Sequence, residues 1–414
     1  MDDEADAALA RQYEIYPYPP RDPREEARRL VVGSPGHLAE VDFWVFGAAR
    51  PRAAPLRALF AGGGTGDGAI MLAAQLAAAG REGHVTWLDR SEAALRIARA
   101  RAEARRLANI SFVIGDLLDL RRSGVGPFEY VDCCGVLHHL PDPAAGLAVL
   151  GAVLAPGGGM GLMVYAPHGR TGVYMVQEAL RLLAPADEVP SARLEVARRV
   201  MRHLPEGNWL HANRNFIDHV RGGDAGLYDL LLNPRDRPFT VAAFAGLIAG
   251  AGLRLVTLVE PLRYDPGPLL ADPKLRARAA ALDPLARAGL AEALSGQMAT
   301  HIAYCTRAAD PPRAPDAMAP DAVPVIRDMT PADLARTLRP DGSAGFVIDR
   351  RRVAIALPAE AGAILPLLDG KRSVGEIGTL LAVRGMPEAA FRRAWAAVWE
   401  KFSALNRVLL AAPG

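Results

Sequence analysis

Leu59-Phe60-Ala61-Gly62-Gly63-Gly64-Thr65-Gly66-Asp67-Gly68 is the stretch whose reading decides the fold. A mostly apolar run, Leu56 to Ala61, feeds it, and an apolar-periodic helix over roughly Ala69 to Ala79 leaves it. A strand, a tight turn and a helix start in that order let backbone approach a ligand closely and aim a helix N-terminus at it. Taken alone, the glycines admit a phosphate, a dinucleotide or a bare turn. The neighbouring segments choose among these.

Strands are expected near Arg57–Ala61, His84–Leu88, Ile110–Ile114, Tyr130–Cys134 and Gly159–Tyr165. Helices are expected near Gly68–Ala79, Glu92–Leu107 and Pro143–Leu154. The strand segments are largely apolar, as in a sheet covered on both faces. Strands alternating with helices predict an α/β fold with a parallel, doubly wound sheet. Ligands on such sheets sit beyond the carboxyl ends of the strands, so the residues just after each strand carry the interest.

Asp89 follows the second strand, where an acid can accept hydrogen bonds from ribose hydroxyls. Ser91 suits the cap of the next helix better than Asp89 does, which frees Asp89 for a ligand. Asp116 follows the third strand, and its carboxylate can accept from an exocyclic amino group while the Leu117 amide donates to a ring nitrogen. A solvated turn explains Asp116 equally well when it is judged alone. After the fourth strand comes Gly135-Val136-Leu137-His138-His139-Leu140-Pro141-Asp142-Pro143. No third ligand is spaced near the two histidines, so no metal is expected. One histidine reads as packed and hydrogen-bonded, the other as bordering the substrate and able to handle a proton.

Together these motifs resemble the class I S-adenosylmethionine-dependent methyltransferases. The matching segments are Phe60 to Gly66, Leu88-Asp89-Arg90-Ser91, Gly115-Asp116-Leu117, Val136 to Asp142 and Leu154-Ala155-Pro156-Gly157-Gly158. They fall in the family's order and spacing. The resemblance implies a seven-stranded Rossmann-like sheet extending to about residue 306, with S-adenosyl-L-methionine as cofactor. It implies that Gly62, Gly64 and Gly66 approach the methionine part, Asp89 the ribose, and Asp116 with Leu117 the adenine. Val136 and Leu137 would sit near the sulfonium, and Ala61 and Arg90 complete the expected contact set. Phe60 departs from the pattern, because an acid is frequent there. The cofactor's amino group then needs backbone carbonyls or an acid from elsewhere. Gly63 replaces a frequent Cys.

The remaining chain frames this core. Residues 1–55 read as an arm or lid, with three tyrosines among the prolines of Gln12 to Arg21. Residues 56–307 form the methyltransferase domain, interrupted by a helical, substrate-covering insertion over 167–238. That insertion contains Trp209, His211, Asn213, Arg214, Asn215, Phe216, His219 and Tyr228. The arm and the Tyr228 to Thr240 segment also resemble a bacterial methyltransferase subgroup. A helix over Thr240–Ala251, a strand over Leu253–Glu260, a helix over Pro273–Leu294 and a strand over Thr300–Thr306 resume the sheet. Residues 308–325 read as a linker. Residues 326–414 read as a small α+β domain with strands Gly345–Ile348 and Val353–Ile355 and helices Ala359–Leu368, Val374–Ala382 and Glu388–Ala404. Leu367 to Ile377 resembles the winged-helix-like peptide-chaperone (PqqD-like) domains, which implies a peptide or protein acceptor. A structural or dimerising appendage is the other reading, which makes a homodimer an expectation.

Net charge is +2, from 48 basic and 46 acidic side chains, so the whole chain does not read as a nucleic-acid binder. Cys133, Cys134 and Cys305 show neither disulfide nor metal spacing, and the acidic start Met1-Asp2-Asp3-Glu4 lacks a signal pattern, which fits the cytoplasm. Leu147 to Ala166 is uncharged, but Pro156-Gly157-Gly158-Gly159 breaks it, so no membrane span is expected. Methyl transfer needs positioning and sometimes proton removal. His138, His139 and Tyr16 lead the candidates for the latter, with His211, His219 and the other arm tyrosines behind them. The acceptor is a small molecule or a peptide or protein. Two rival readings compete. A nicotinamide-dependent oxidoreductase can force Gly64 to Ala69 onto the dinucleotide fingerprint, yet it explains neither Asp116 nor the Pro-Gly-Gly turn. A non-catalytic sensor or assembly subunit that binds S-adenosylmethionine would tolerate Phe60.

Overall fold

The structure is a computed structural model that describes residues 2–213 and 222–413. Seven strands form one sheet: β1 (Leu56–Ala61), β2 (Gly83–Asp89), β3 (Ile110–Ile114), β4 (Phe128–Cys134), β5 (Leu154–Tyr165), β6 (Leu253–Leu258) and β7 (Thr300–Arg307). Their order is β3-β2-β1-β4-β5-β7-β6. In β1 every residue but Arg57 is buried, as a central strand covered on both faces requires. β1 runs parallel to both β2 and β4, with Phe60 opposite Trp87 on one side and Asp132 on the other.

The N-terminal helix α1 (Asp2–Ile15) precedes the sheet, and α2 (Asp67–Ala78), α3 (Glu92–Ala104) and α4 (Pro143–Ala152) follow β1, β2 and β4. Ser91 caps α3 by accepting from the Ala94 amide, and Asp142 caps α4 with Pro143 in the first turn. α2 starts differently. Gly66 precedes it at φ 99°, so no side chain occupies its first amides. The insertion holds α5 (Val173–Leu183), α6 (Pro190–Arg202), α7 (Trp209–Ala212) and α8 (Gly223–Leu231), packed around Val176, Leu180, Leu194 and Leu227. α9 (Val241–Gly250) leads into β6.

Two expectations need correction. The sheet is mixed, because β7 pairs antiparallel with β5. Alternating strands and helices show that a helix intervenes, but not at which end the next strand enters. The helix expected over Pro273–Leu294 is two, α10 (Pro273–Ala280) and α11 (Pro284–Ser295). Asp283 breaks it by accepting from the Leu285 and Ala286 amides ahead of a proline-started turn. The segment read as an arm or lid is helical as far as Ile15, and leaves the helix only at the prolines.

The chain forms two compact units. One comprises residues up to His37, Pro55–Leu255 and Gly296–Ala309, and contains the sheet core and the insertion. The other joins Leu38–Ala54 and Val256–Ser295 to Asp310–Gly414, a division that does not follow sequence boundaries at 55, 307 and 325. Phe43 packs with Ala317, Leu409 and Leu410, and Glu40 pairs with Arg327 at 2.9 Å, which is why the early segment joins the later one. The second unit contains β8 (Pro324–Ile326) paired with β11 (Val408–Leu410), and the hairpin of β9 (Ser343–Ile348) and β10 (Arg351–Ala356). Asp349 and Arg350 turn that hairpin at φ 45° and 63°, the left-handed pair a two-residue turn needs. α12 (Val374–Val383) and α13 (Glu388–Ala404) complete its core around Trp395, Val398 and Phe402.

Candidate active site

β1 and β4 are neighbours, while the chain continues from them toward opposite edges of the sheet. A crevice opens beyond the carboxyl ends of strands at such a switch point. Here it holds a cavity of about 480 Å³. The turns after β1, β2, β3 and β4 form its floor, and arm residues Leu9, Tyr13, Pro17, Tyr18 and Pro19 close it. That volume suits a small-molecule ligand.

At the glycine turn the backbone crosses β4 closely. Gly62 has φ 73°, and a Cβ there would stand 2.3 Å from Val136 Cγ2. Gly63 has a neighbouring cause, since a Cβ would meet Trp87 Cδ1 at 2.2 Å. The Trp87 indole therefore fills the space a side chain would take, and its Nε1 donates to the Gly64 carbonyl at 3.1 Å. Asp89 braces the same turn. Its Oδ2 accepts from the Gly64 amide at 2.8 Å and its Oδ1 from the Ser91 amide at 2.9 Å. Burial pushes its carboxyl up against the pull of these amides. A carboxylate offers about four lone-pair sites, so two backbone amides leave room for hydroxyl donors. Asp116 accepts from the Leu118 amide at 2.8 Å and lies 3.5 Å from Arg90, which also holds Asp6 of the arm at 2.9 Å.

Ala61, Gly62, Gly64, Gly66, Asp89, Arg90, Asp116, Leu117 and Val136 all line the cavity. Leu137 does not. It is fully buried and points toward Gly146 of α4, so it supports the wall from behind. The open amides of α2, a carboxylate with spare lone pairs and the apolar side chains of Leu88, Leu117 and Leu140 suit a ligand with a carboxylate, a sugar and a planar base.

Another part of the wall is built from His139, Tyr13, Tyr165 and Asp229, which contact one another. His139 Nδ1 lies 2.6 Å from the Arg235 carbonyl, which can only accept. The ring therefore donates there, and Nε2 is the acceptor of the neutral imidazole. Tyr13 Oη donates to Asp229 Oδ1 at 2.9 Å, Tyr165 Oη to Oδ2 at 3.4 Å, and Gln12 Nε2 to Oδ1 at 3.4 Å. Burial pushes the Asp229 carboxyl up, against His139 and the Tyr13 hydrogen bond. Burial and the Asp229 charge hold the Tyr13 hydroxyl well above its ordinary range. Asp229 sits in α8 within Leu227 to Leu232. The one signal in the sequence is an acid inside an apolar helical run, where burial is costly unless partnered.

Two candidate catalytic side chains are displaced from this wall. His138 is fully buried, does not line the cavity, and finds no hydrogen-bond partner for either nitrogen among the described residues. Burial, with His139 and Arg170 adding to it, pushes its pKa well below the ordinary imidazole range, so the ring is neutral. Its ring centroid lies 3.9 Å from that of Tyr165, which also meets the Arg170 guanidinium at 3.8 Å and the His139 ring edge-on at 5.8 Å. Tyr16 stacks on Tyr228 at 5.1 Å and packs into the insertion core, because the end of α1 turns it away from the cavity while Tyr13 and Tyr18 face it. His211 is exposed on α7, and Arg214, Asn215, Phe216 and His219 lie outside the described residues. Among the described residues no group of three or more His, Cys, Asp or Glu could hold a metal, and no helix is long and apolar enough to cross a membrane.

Comparison with known proteins adds the chemistry. Residues 59–160 match the family model of a methyltransferase domain, Methyltransf_12. An uncharacterized protein of Synechococcus sp. is 30% identical over 311 residues, 73% of this chain and 72% of that protein. A ubiquinone biosynthesis O-methyltransferase of Acinetobacter baylyi is 32% identical over 93 residues, and a demethylmenaquinone methyltransferase of Listeria welshimeri is 36% identical over 95. Those two matches cover 22% and 23% of this chain, and only 38% and 39% of the relatives. PKMT2 from Rickettsia typhi, solved in complex with AdoHcy, shares the fold at a TM-score of 0.62 and 13% identity, over 90% of this chain and 74% of that one. With the glycine turn, the strand-end acids and the seven-stranded sheet in place, the chain belongs to the class I S-adenosylmethionine-dependent methyltransferases.

Proposed function

We propose that the chain methylates a hydroxyl group on an acceptor that is a small molecule or a peptide, with His139 as proton acceptor. The supporting observation is the His139 ring, whose Nδ1 is tied to the Arg235 carbonyl so that Nε2 accepts at the cavity wall. When bound, S-adenosylmethionine supplies an activated methyl group on a good leaving group, so the protein positions, desolvates and removes a proton. Asp89 accepts from the ribose hydroxyls, Asp116 and the Leu117 amide read the adenine, and the first amides of α2 meet the carboxylate. His139 takes the hydroxyl proton, and the neighbouring Asp229 carboxylate offsets the imidazolium charge that results. Tyr13 and Tyr18 cover the site from the arm and exclude water. A binding-only subunit has no need of a proton acceptor in this wall. One relative is named as an O-methyltransferase of ubiquinone biosynthesis, which supports an oxygen as the acceptor atom.

The test follows S-adenosylhomocysteine release by the full chain with matched phenols, quinols, serine-containing peptides and amines. Turnover is expected with a hydroxyl acceptor. Turnover confined to amines would overturn the assignment. A second measurement checks the cofactor half of the site. Asp89→Ala removes charge-assisted bonds to the ribose and a brace of the glycine turn. It is expected to weaken S-adenosylhomocysteine binding roughly tenfold or more by titration calorimetry. Unchanged affinity would mean that the ribose sits elsewhere.

A further inference from the structure

Phe60 ends β1 where an acid would meet the cofactor's amino group. The residue paired with it across the sheet is Asp132 of β4. Asp132 is 3% exposed and lines the cavity. Its Oδ2 accepts from Tyr130 Oη at 2.7 Å, a bond between residues on one face of the strand. A Cβ on Gly36 would stand 3.1 Å from that oxygen and 3.2 Å from Phe60 Cε1, so both side chains reach the same point of the wall. The Phe60 ring also reaches the first turn of α2, where a Cβ on Gly68 would stand 2.8 Å from it. Asp132 thus lies beside the turn and helix start that meet the amino-acid end of the ligand.

The other carboxylates of the cavity stand at other points of its lining. Asp67 holds Arg21 at 2.9 Å and Arg101 at 2.6 Å. Asp89 ends β2, Asp116 follows β3, and Asp229 is bonded to Tyr13 and Tyr165. An ammonium group set against Phe60 with no carboxylate near would be desolvated without compensation. We infer that Asp132 replaces the missing β1 acid and receives the α-ammonium group of S-adenosylmethionine from the neighbouring strand. Asp132 stands one strand across the sheet at the level of Phe60, and the Phe60 ring fills the place of a β1 acid.

The inference rests on the cofactor assignment, and the experiment separates the two. Titration calorimetry on the full chain compares three ligands: S-adenosylhomocysteine, its des-amino analogue, and methylthioadenosine, which lacks the amino-acid part. Wild type is expected to bind S-adenosylhomocysteine about tenfold or more tighter than the des-amino analogue. Asp132→Asn is expected to lose that preference while binding methylthioadenosine within about twofold of wild type. Equal weakening toward all three ligands would mark Asp132 as a structural residue and overturn the inference, as would an unchanged preference. The wild-type comparison needs no variant to fold. If wild type binds the des-amino analogue as tightly as the parent, no carboxylate receives the ammonium and the inference fails. A wild type that binds methylthioadenosine but not S-adenosylhomocysteine would also overturn it. Binding of none of the three would overturn the cofactor assignment itself.

Discussion

His139→Ala is expected to lower the turnover number by about 10²–10⁴-fold with a hydroxyl acceptor, the range that removal of a positioned general base produces. Cofactor affinity should stay within about twofold, because the ring is outside the set of residues proposed to hold the cofactor. That split separates a proton-handling role from a binding role. The neighbouring His138 supplies an internal control. Its two nitrogens have no hydrogen-bond partner among the described residues, and it does not line the cavity. His138→Phe keeps an aromatic ring against Tyr165 and removes two buried polar atoms that gain nothing from burial, so turnover should change little and stability should hold or rise. If His138→Phe abolished turnover while His139→Ala preserved it, the base would be misassigned. Adjacent histidines differ so sharply because the short helical turn at Leu137–His139 aims one ring inward and the other at the crevice.

How much of this was legible beforehand differs by level. The first four strands of the sheet could be read because each is an apolar run closed by glycine or an acid, and Asp142-Pro143 and Ser91 announce their helices. The turn of β7 against β5 could not be read, since apolar patterning has no direction along the chain. The break at Leu282-Asp283-Pro284 carried a cap signal that the charged helical pattern around it concealed. Within the site, residues immediately after strands were accessible because the fold class says where ligands sit. Asp132 and Asp229 were not, because their importance lies in pairing across the sheet and in a helix folding back over the crevice. Tyr16 shows the limit of composition. Three tyrosines stand close in sequence, and only the helical phase of α1 and the prolines after it decide that Tyr13 and Tyr18 face the cavity while Tyr16 packs away.

The arm is held over the cavity by ions rather than by apolar contact alone, and the largest stability effect is expected there. Arg101 of α3 is 1% exposed. Its Nε donates to Glu26 Oε1 at 2.7 Å, and one terminal nitrogen donates to the Thr65 carbonyl at 2.7 Å and to Asp67 Oδ1 at 2.6 Å. Arg105 also bonds Glu26, Arg21 of the arm pairs with Asp67, and Thr65 Oγ1 donates to the Pro19 carbonyl at 2.8 Å. One guanidinium thus ties the arm, the glycine turn and the start of α2 together. Arg101→Met leaves Glu26 buried with a partner lost, and should cost about 3–5 kcal/mol. For a unit of this size that is a fall of roughly 10 °C in its melting transition, read separately because two units need not melt together. The Arg101→Met, Glu26→Gln pair should cost less than Arg101→Met alone, since no buried carboxylate is stranded. Acid should act on the same latch. Burial pushes the Asp67 carboxyl up, but the hydrogen bond from Arg21 and the charges of Arg21 and Arg101 outweigh it and hold it below the ordinary range. A depressed carboxyl stabilises above its unfolded value, near pH 4, and the contribution disappears as pH falls through the folded value. Amide protection of residues 19–27, relative to the intrinsic exchange rate, should therefore fall below about pH 4, and in Arg101→Met it should already be low at neutral pH. Exchange that stayed slow in the variant would show that the arm is held by something other than this ion network.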